Sequence, residues 1–215
     1  MAKRLCDILF SLFGLIVFSL LLIVIAIWIK LDSKGPVFYR GKRVGLNGKP
    51  FLIYKFRSMV TDAEAKGGPS TSDSDSRITK AGRFVRKFKL DELSQFINVL
   101  IGDMSFVGPR PEVQMYVDQY TEEEKAILTV RPGITDWATI WNSDEGAVLA
   151  KHDDPDKAYE ELIRPTKLKL QLYYVRNRTL LMDLKLVVYT VLRVVKRSFY
   201  PNELAAYPKL LTDDE

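Results

Sequence analysis

The sequence predicts an α+β protein in which an N-terminal membrane helix precedes a small, mostly helical domain. Three observations predict it. Residues 8–29 form an uncharged, almost wholly apolar run, ILFSLFGLIVFSLLLIVIAIWI. Residues 33–60 hold two β-type segments on either side of a glycine turn. Much of the remainder repeats apolar residues at helical spacing. The expected organisation is a membrane-inserted helix over residues 1–32, a globular domain over 33–200 and a tail over 201–215.

As a helix, the apolar run is roughly 33 Å long, about the thickness of a hydrocarbon core. It is too uniformly apolar for the surface helix of a soluble domain. Lys3 and Arg4 give it the basic start of a secretory signal, but Trp28, Ile29, Lys30 and Leu31 form no small-residue cleavage site. A membrane segment is the better reading. Lys3 and Arg4 precede it, and Lys30, Lys34, Arg40, Lys42 and Arg43 follow it. The positive-inside rule places both flanks in the cytoplasm. A helix that enters and returns on one side satisfies both flanks; a straight span does not. Gly14 and Ser19 are the candidate break points, and no proline within the run compels a bend.

Residues 33–60 contain no acid. Val37-Phe38-Tyr39 and Phe51-Leu52-Ile53-Tyr54 read as short strands joined through Gly45-Leu46-Asn47-Gly48, a hairpin-type turn. Lys55, Phe56 and Arg57 then alternate basic with aromatic, which suits a surface held against lipid headgroups or phosphates. Residues 62–76, rich in Gly, Ser, Asp and Thr, read as a mobile loop. Its Asp73 and Asp75 lack the spacing of a calcium-binding EF-hand loop.

The central stretch, residues 77–111, reads RITKAGRFVRKFKLDELSQFINVLIGDMSFVGPRP. Six cations crowd its first half with no acid among them, and then Asp91 and Glu92 stand side by side. Phe84 and Phe88 share a helical face that continues onto those two carboxylates. A charge on an apolar stripe is costly unless it is paired or faces a polar cleft. Either the helix breaks near Lys89 and Leu90, or the acids look into a site. Asp91 as the N-cap of a second helix is an equally good account, and the two are compatible. A helical stripe follows at Leu93, Phe96, Ile97 and Leu100, and Gly108-Pro109-Arg110-Pro111 closes the stretch as a stiff turn presenting one guanidinium.

Downstream, residues 112–128 read as one helix with Glu122, Glu123 and Glu124 exposed. Arg131-Pro132-Gly133-Ile134-Thr135 is a second rigid turn with an arginine at its mouth. Trp137 and Trp141, four apart, suit a core more than a stacking platform. Residues 153–164 read as polar, residues 166–176 as a helix, and Leu180–Val195 as an amphipathic helix for which a membrane surface and ordinary packing remain equal alternatives. The acidic end, Asp213-Asp214-Glu215, reads as a loose tail.

A net charge of +5 points to polyanionic partners. A single cysteine, Cys6, excludes an intramolecular disulfide framework. A single histidine, His152, sits in a polar loop and gives no basis for a His-rich metal site or a Ser-His-Asp triad. There is no P-loop, dinucleotide fingerprint or zinc-spaced cluster, and no recognition-helix or RNA-binding motif, so nucleic acid is not an expected partner. What remains is one carboxylate pair among many cations beside a membrane segment. That set suits phosphoryl transfer, which needs positioning and charge neutralisation more than covalent machinery. A carboxylate can ligate magnesium or attack phosphorus itself.

Tyr54-Lys55-Phe56-Arg57-Ser58-Met59, the stretch LDELSQFINVLIGDMSFVGPRP at residues 90–111 and Arg131-Pro132-Gly133-Ile134-Thr135 together resemble the bacterial sugar transferases. These are monotopic phosphoglycosyl transferases that initiate glycan assembly. With the apolar segment the resemblance covers nearly the whole chain, and the length is similar to the family's minimal members. It implies transfer of a sugar 1-phosphate from a UDP-sugar to undecaprenyl phosphate, with release of UMP and a requirement for magnesium (Mg2+). The setting it implies is the cytoplasmic face of the bacterial inner membrane, in contact with membrane lipids. Carried over, Asp91 is the nucleophile that forms a phosphosugar-enzyme intermediate, and Glu92 assists with metal and positioning. Lys55, Arg86, Arg110 and Arg131 match basic positions that hold substrate phosphates.

The sequence departs from the family pattern in places. Ser19-Leu20 stands where Ser-Pro is usual at the membrane bend, and Leu93-Ser94 where Leu-Pro often follows the dyad. Gln171 precedes Tyr173-Tyr174 where many members carry Asp, so any role of that acid is absent or moved, with Asp183 one place for it. Asp136 follows Thr135 where Gly is common. Two rival functions stay in play at this level: a non-catalytic module that gathers anionic lipids, and a hydrolase of nucleotide sugars.

Overall fold

The computed structural model describes residues 2–207. The apolar run folds as α1 (Ala2–Val17) and α2 (Ser19–Asp32), bent by 64°. Among the described residues no single helix is long and apolar enough to cross a membrane; the bent pair passes that test by length and composition together. The break falls at Phe18, whose φ of −90° and ψ of 4° leave the helical region. It lies directly before Ser19. Gly14, the other expected break point, serves packing instead. A Cβ there would lie 2.6 Å from the Phe96 ring, so only glycine lets that ring seat against α1.

The polarity of α1 is inverted. Its buried residues are Asp7, Ser11 and Gly14, while Leu5, Leu9, Phe10, Leu12, Phe13 and Ile16 are exposed. Its first turn grips the globular part. Lys3 pairs with Asp183 at 2.6 Å and donates to the Val107 carbonyl at 3.0 Å. Arg4 donates to the carbonyls of Val99 and Leu100. Asp7 accepts from the Ser105 hydroxyl and the Phe106 amide. At the other end, Arg57 donates to the carbonyls of Ser33 and Lys34, closing the C-terminus of α2.

Next comes a two-stranded antiparallel ribbon, with β1 (Phe38–Tyr39), β2 (Lys42–Val44), β3 (Pro50–Leu52) and β4 (Lys55–Phe56). β2 pairs with β3 and β1 with β4 in one continuous register. A hairpin forms at the expected turn, but Phe51 and Leu52 face Arg43 and Lys42, while Phe38 and Tyr39 face Phe56 and Lys55; the turn is a 3-10 turn, Leu46–Gly48, in which Asn47 and Gly48 take positive φ. One short helix, α3 (Ala63–Lys66), lies within residues 62–76, and Asp75 there binds Arg77 at 2.7 Å.

α4 (Lys80–Lys87) starts at Thr79, whose hydroxyl accepts from the Gly82 amide. It ends where Lys89 adopts a left-handed φ of 55°. A 3-10 segment, Leu90–Gln95, runs into α5 (Phe96–Ile101), which stops at Gly102 with φ 103°. β5 (Ser105–Val107) then pairs in parallel with β6 (Gly133–Thr135). The intervening residues do not form the single helix expected over 112–128. They hold α6 (Gln114–Val117) and a 3-10 helix, Glu124–Thr129. The cause is local: Glu112 is drawn into the interior, and Thr121 and Glu124 form a reciprocal capping box that starts the chain afresh.

α7 (Trp137–Trp141), α8 (Glu145–Leu149), α9 (Pro155–Ala158), α10 (Arg164–Asn177) and α11 (Leu180–Val195) follow, and then a 3-10 turn, Asn202–Leu204. Trp137 and Trp141 are buried in the main core with Ile163, Leu170, Tyr174 and Leu186. Residues 153–164, read as polar, contribute Tyr159 and Ile163 to that core. His152 is exposed. α11 buries Leu186 while leaving Leu181, Leu184, Val188, Val191 and Val195 exposed. A separate apolar cluster of Ile25, Ile29, Phe56, Ala81 and Val85 joins α2 to the ribbon and α4. The architecture is mostly helical with a few short strands, an α+β arrangement.

Candidate active site

The break at Lys89 places Asp91 and Glu92 in the 3-10 segment between α4 and α5. Asp91 is not a side-chain cap of that segment. Its carboxylate turns toward the ribbon, where Lys55 Nζ lies 3.0 Å from Asp91 Oδ2 and 3.3 Å from Glu92 Oε1. Asn98 fixes that approach. It accepts from the Tyr54 amide at 2.7 Å and donates to the Leu52 carbonyl at 2.9 Å, so β3 and β4 are fastened to the helix that follows the dyad. Ser94 adds a bond to the Tyr54 carbonyl. Asp91 is buried, 2% exposed, and its charge is matched by Lys55.

Arg110 reaches the same place from the end of β5. Its guanidinium forks onto Glu92, with Nη1 at 3.0 Å from Oε2 and Nη2 on Oε1. Burial alone would push the Glu92 carboxyl up, but Arg110 and then Lys55 outweigh it and hold Glu92 well below the usual carboxylate range. Glu92 in turn raises Arg110 above the ordinary guanidinium value. The result is a compact knot of two anions and two cations. The main chain of Arg110 is held as well: its amide donates to Asp136 Oδ2 at 3.1 Å, and its carbonyl accepts from Gln171 Nε2 at 3.3 Å.

Of the residues singled out from sequence, the fold brings together Lys55, Asp91, Glu92 and Arg110. Among the described residues, Arg86 and Arg131 form no hydrogen bond or ion pair with these four. Arg86 lies on α4, half-buried, where its charge acts on Asp75. Arg131 is exposed and donates Nε to the Gly102 carbonyl at 2.9 Å. Glu112 Oε1, two residues past Arg110, meets Lys167 at 2.7 Å and the Tyr159 hydroxyl at 2.5 Å. Tyr120 donates to its other oxygen at 3.0 Å. Burial opposes the charge on Glu112, but Lys167 and the hydroxyls overcome it and lower its pKa.

Sequence reasoning missed Asn98, Glu112, Lys167 and the contact between Asp136 and Gln171. Asn98 carried a signal, a polar side chain inside the apolar α5. So did Gln171 and Asp136, both departures from the family pattern: in the fold they touch at 3.1 Å. Asp183 binds Lys3 and Tyr174 instead.

Among the described residues no group of three or more His, Cys, Asp or Glu side chains could hold a metal by itself. Two adjacent carboxylates do match magnesium, which is usually held by one or two carboxylates plus substrate phosphates. The chemistry available at this site is a buried carboxylate fixed by an ammonium, with a guanidinium fork alongside.

The family model described as bacterial sugar transferase matches residues 1–197. The chain is 39% identical over 202 residues to the UDP-N-acetylgalactosamine-undecaprenyl-phosphate N-acetylgalactosaminephosphotransferase of Aeromonas hydrophila, covering 92% of this chain and 44% of that protein. It is 37% identical to the uncharacterized sugar transferase EpsL of Bacillus subtilis, covering 90% of this chain and 87% of the relative. It is 38% identical to the UDP-glucose:undecaprenyl-phosphate glucose-1-phosphate transferase of Escherichia coli, covering 89% and 39%. The chain thus spans less than half the length of the Aeromonas and E. coli proteins and most of the Bacillus one. With the family model matched over nearly its whole length, the chain belongs to the bacterial sugar transferase family.

Proposed function

We propose that this chain transfers a sugar 1-phosphate from a UDP-sugar to undecaprenyl phosphate, releasing UMP. The observation that carries the reading is the Asp91–Lys55–Glu92–Arg110 knot beside a bent apolar helix pair. An oxygen of Asp91 attacks the phosphorus that bears the sugar. The bond from that phosphorus to the bridging oxygen breaks, and UMP departs with both electrons. A phosphate oxygen of the lipid then attacks the same phosphorus, displaces Asp91 and yields the lipid diphosphate sugar. Lys55 orients Asp91 and neutralises charge, and Arg110 moves from Glu92 to the diphosphate. Asp91 and Glu92 are the residues that would hold Mg2+, which when bound supplies further neutralisation of the diphosphate.

The membrane part of the proposal is a re-entrant insertion from the cytoplasmic face of the bacterial inner membrane, with the knot near the lipid boundary. Both ends of the bent pair are fastened to the same globular part, which supports entry and return on one side. The inverted polarity of α1 supports lipid around its outer face, and the exposed apolar residues of α11 suit membrane lipids too.

The test is product analysis with a panel of UDP-sugars, undecaprenyl phosphate and magnesium. A lipid-linked sugar diphosphate and UMP should form with at least one sugar. Asp91→Asn should abolish UMP release, a loss on the order of 10³-fold or more, with an unchanged thermal unfolding midpoint. Free sugar phosphate without lipid acceptor would instead indicate hydrolysis, and full turnover by Asp91→Asn would remove it as the nucleophile.

A further inference from the structure

Asp136 is wholly buried and accepts four hydrogen bonds. Oδ1 takes the Thr139 amide at 2.7 Å and the Thr139 hydroxyl at 2.8 Å, which caps α7. A serine or asparagine would cap that helix as well without burying a carboxylate. The informative oxygen is Oδ2. It takes the Arg110 amide and Gln171 Nε2, each at 3.1 Å.

Gln171, on α10 and also wholly buried, presents its donor end to two acceptors at once, Asp136 Oδ2 and the Arg110 carbonyl. Its own Oε1 is buried and finds no hydrogen-bond partner among the described residues. A lone buried acceptor costs stability, so the orientation is imposed by what the Nε2 end holds. Asp136 and Gln171 therefore bracket both peptide groups of Arg110, the amide on one side and the carbonyl on the other. The flanking residues Pro109 and Pro111 have no amide to share in this. The base of the side chain is thus fixed independently of whether its guanidinium sits on Glu92.

We propose that Asp136 and Gln171 are positioning residues that clamp the main chain of Arg110, so that its guanidinium swings from Glu92 to the diphosphate about a fixed root. The clamp rests on the transferase reading for its consequence in turnover, but not for its geometry.

Asp136→Asn keeps an oxygen for the Thr139 amide and turns an NH2 group toward the Arg110 amide, donor against donor. Transfer should fall about 10- to 100-fold through misplacement of Arg110, chiefly in kcat, and the thermal midpoint should also fall because the opposed donors are buried. In an Arg110→Ala background the same substitution should cost nothing further, since it acts through that side chain. Hydrogen exchange of the full-length protein in lipid nanodiscs gives a second readout. Arg110 supplies the one amide between Gly108 and Glu112, and its exchange should quicken at least ~10-fold in Asp136→Asn while that of Thr139 does not. Gln171→Met removes the carbonyl-side hold and should give the same pattern more weakly, so it carries the test if Asp136→Asn does not fold. Equal losses from Asp136→Asn with and without Arg110, or unchanged exchange at Arg110, would overturn the clamp. If the parent makes no lipid product while exchange at Arg110 responds, the reaction assignment fails and the clamp stands.

Discussion

Gly108-Pro109-Arg110 and Arg131-Pro132-Gly133 are mirror-image strings of the same three residues, and they lie against one another. The Gly133 amide donates to the Pro109 carbonyl, the Gly108 amide donates to the Thr135 carbonyl, and a side chain on either glycine would run into the other turn's backbone. Read from sequence, each presents an arginine at a stiff turn. In the fold the two arginines leave in different directions. Arg131 precedes β6 and Arg110 follows β5, and the strands are parallel. The two turns touch, yet their guanidiniums reach different partners. Arg110 meets the dyad, and Arg131 meets the C-terminal end of α5 at Gly102. Residue type and turn chemistry are shared, so the partner each guanidinium reaches, and not its local turn, separates the two.

That contrast can be broken or sharpened by substitution. Of the substitutions that bear on this contrast, Arg110→Ala should cost the most, about 10²- to 10³-fold in kcat/KM, and it strands Glu92 among fewer cations. Glu92→Gln should lower transfer by about 10²-fold and alter the acid response. The folded-state pKa of Glu92 lies below its unfolded value. Its contribution to stability is therefore full above the ordinary glutamate range, about pH 4.3, and is lost as pH falls through the folded value. Urea midpoints between pH 7 and pH 3 should fall less steeply for Glu92→Gln than for the parent. Glu112→Gln leaves Lys167 buried without its counter-charge and should destabilise by about 3–5 kcal/mol in urea unfolding. Arg131→Ala should have the smallest effect, about 1 kcal/mol of stability, with lipid-product formation within about threefold of the parent. A loss for Arg131→Ala equal to that for Arg110→Ala would erase the distinction between the two turns.

Much of this arrangement was legible beforehand, because it is written in local spacing. The apolar run, the ribbon turn at Gly45 to Gly48, the core tryptophans and the helix over Leu180–Val195 all depend on neighbours in sequence. The dyad's place was readable too, since acids on an apolar face must break the helix or meet a partner. The ion clusters were not. Lys55 and Asp91 are joined because Asn98 pins the ribbon to α5, and no periodicity encodes that. Glu112 was read as the first residue of a helix, yet it is buried and its partner Lys167 lies on α10. The capping box at Thr121 and Glu124 was present in the sequence, and reading it would have divided residues 112–128 correctly.

The grip of α1 bears on how the protein can be handled. Lys3, Arg4 and Asp7 hold the Val107 and Val99 carbonyls and the Phe106 amide, so the start of α1 is part of the globular structure itself. Trimming the hydrophobic leader to obtain a water-soluble fragment would unseat the strand that leads into Arg110 and uncap α5. Preparations that retain α1 are therefore the ones in which the arrangement around Arg110 survives.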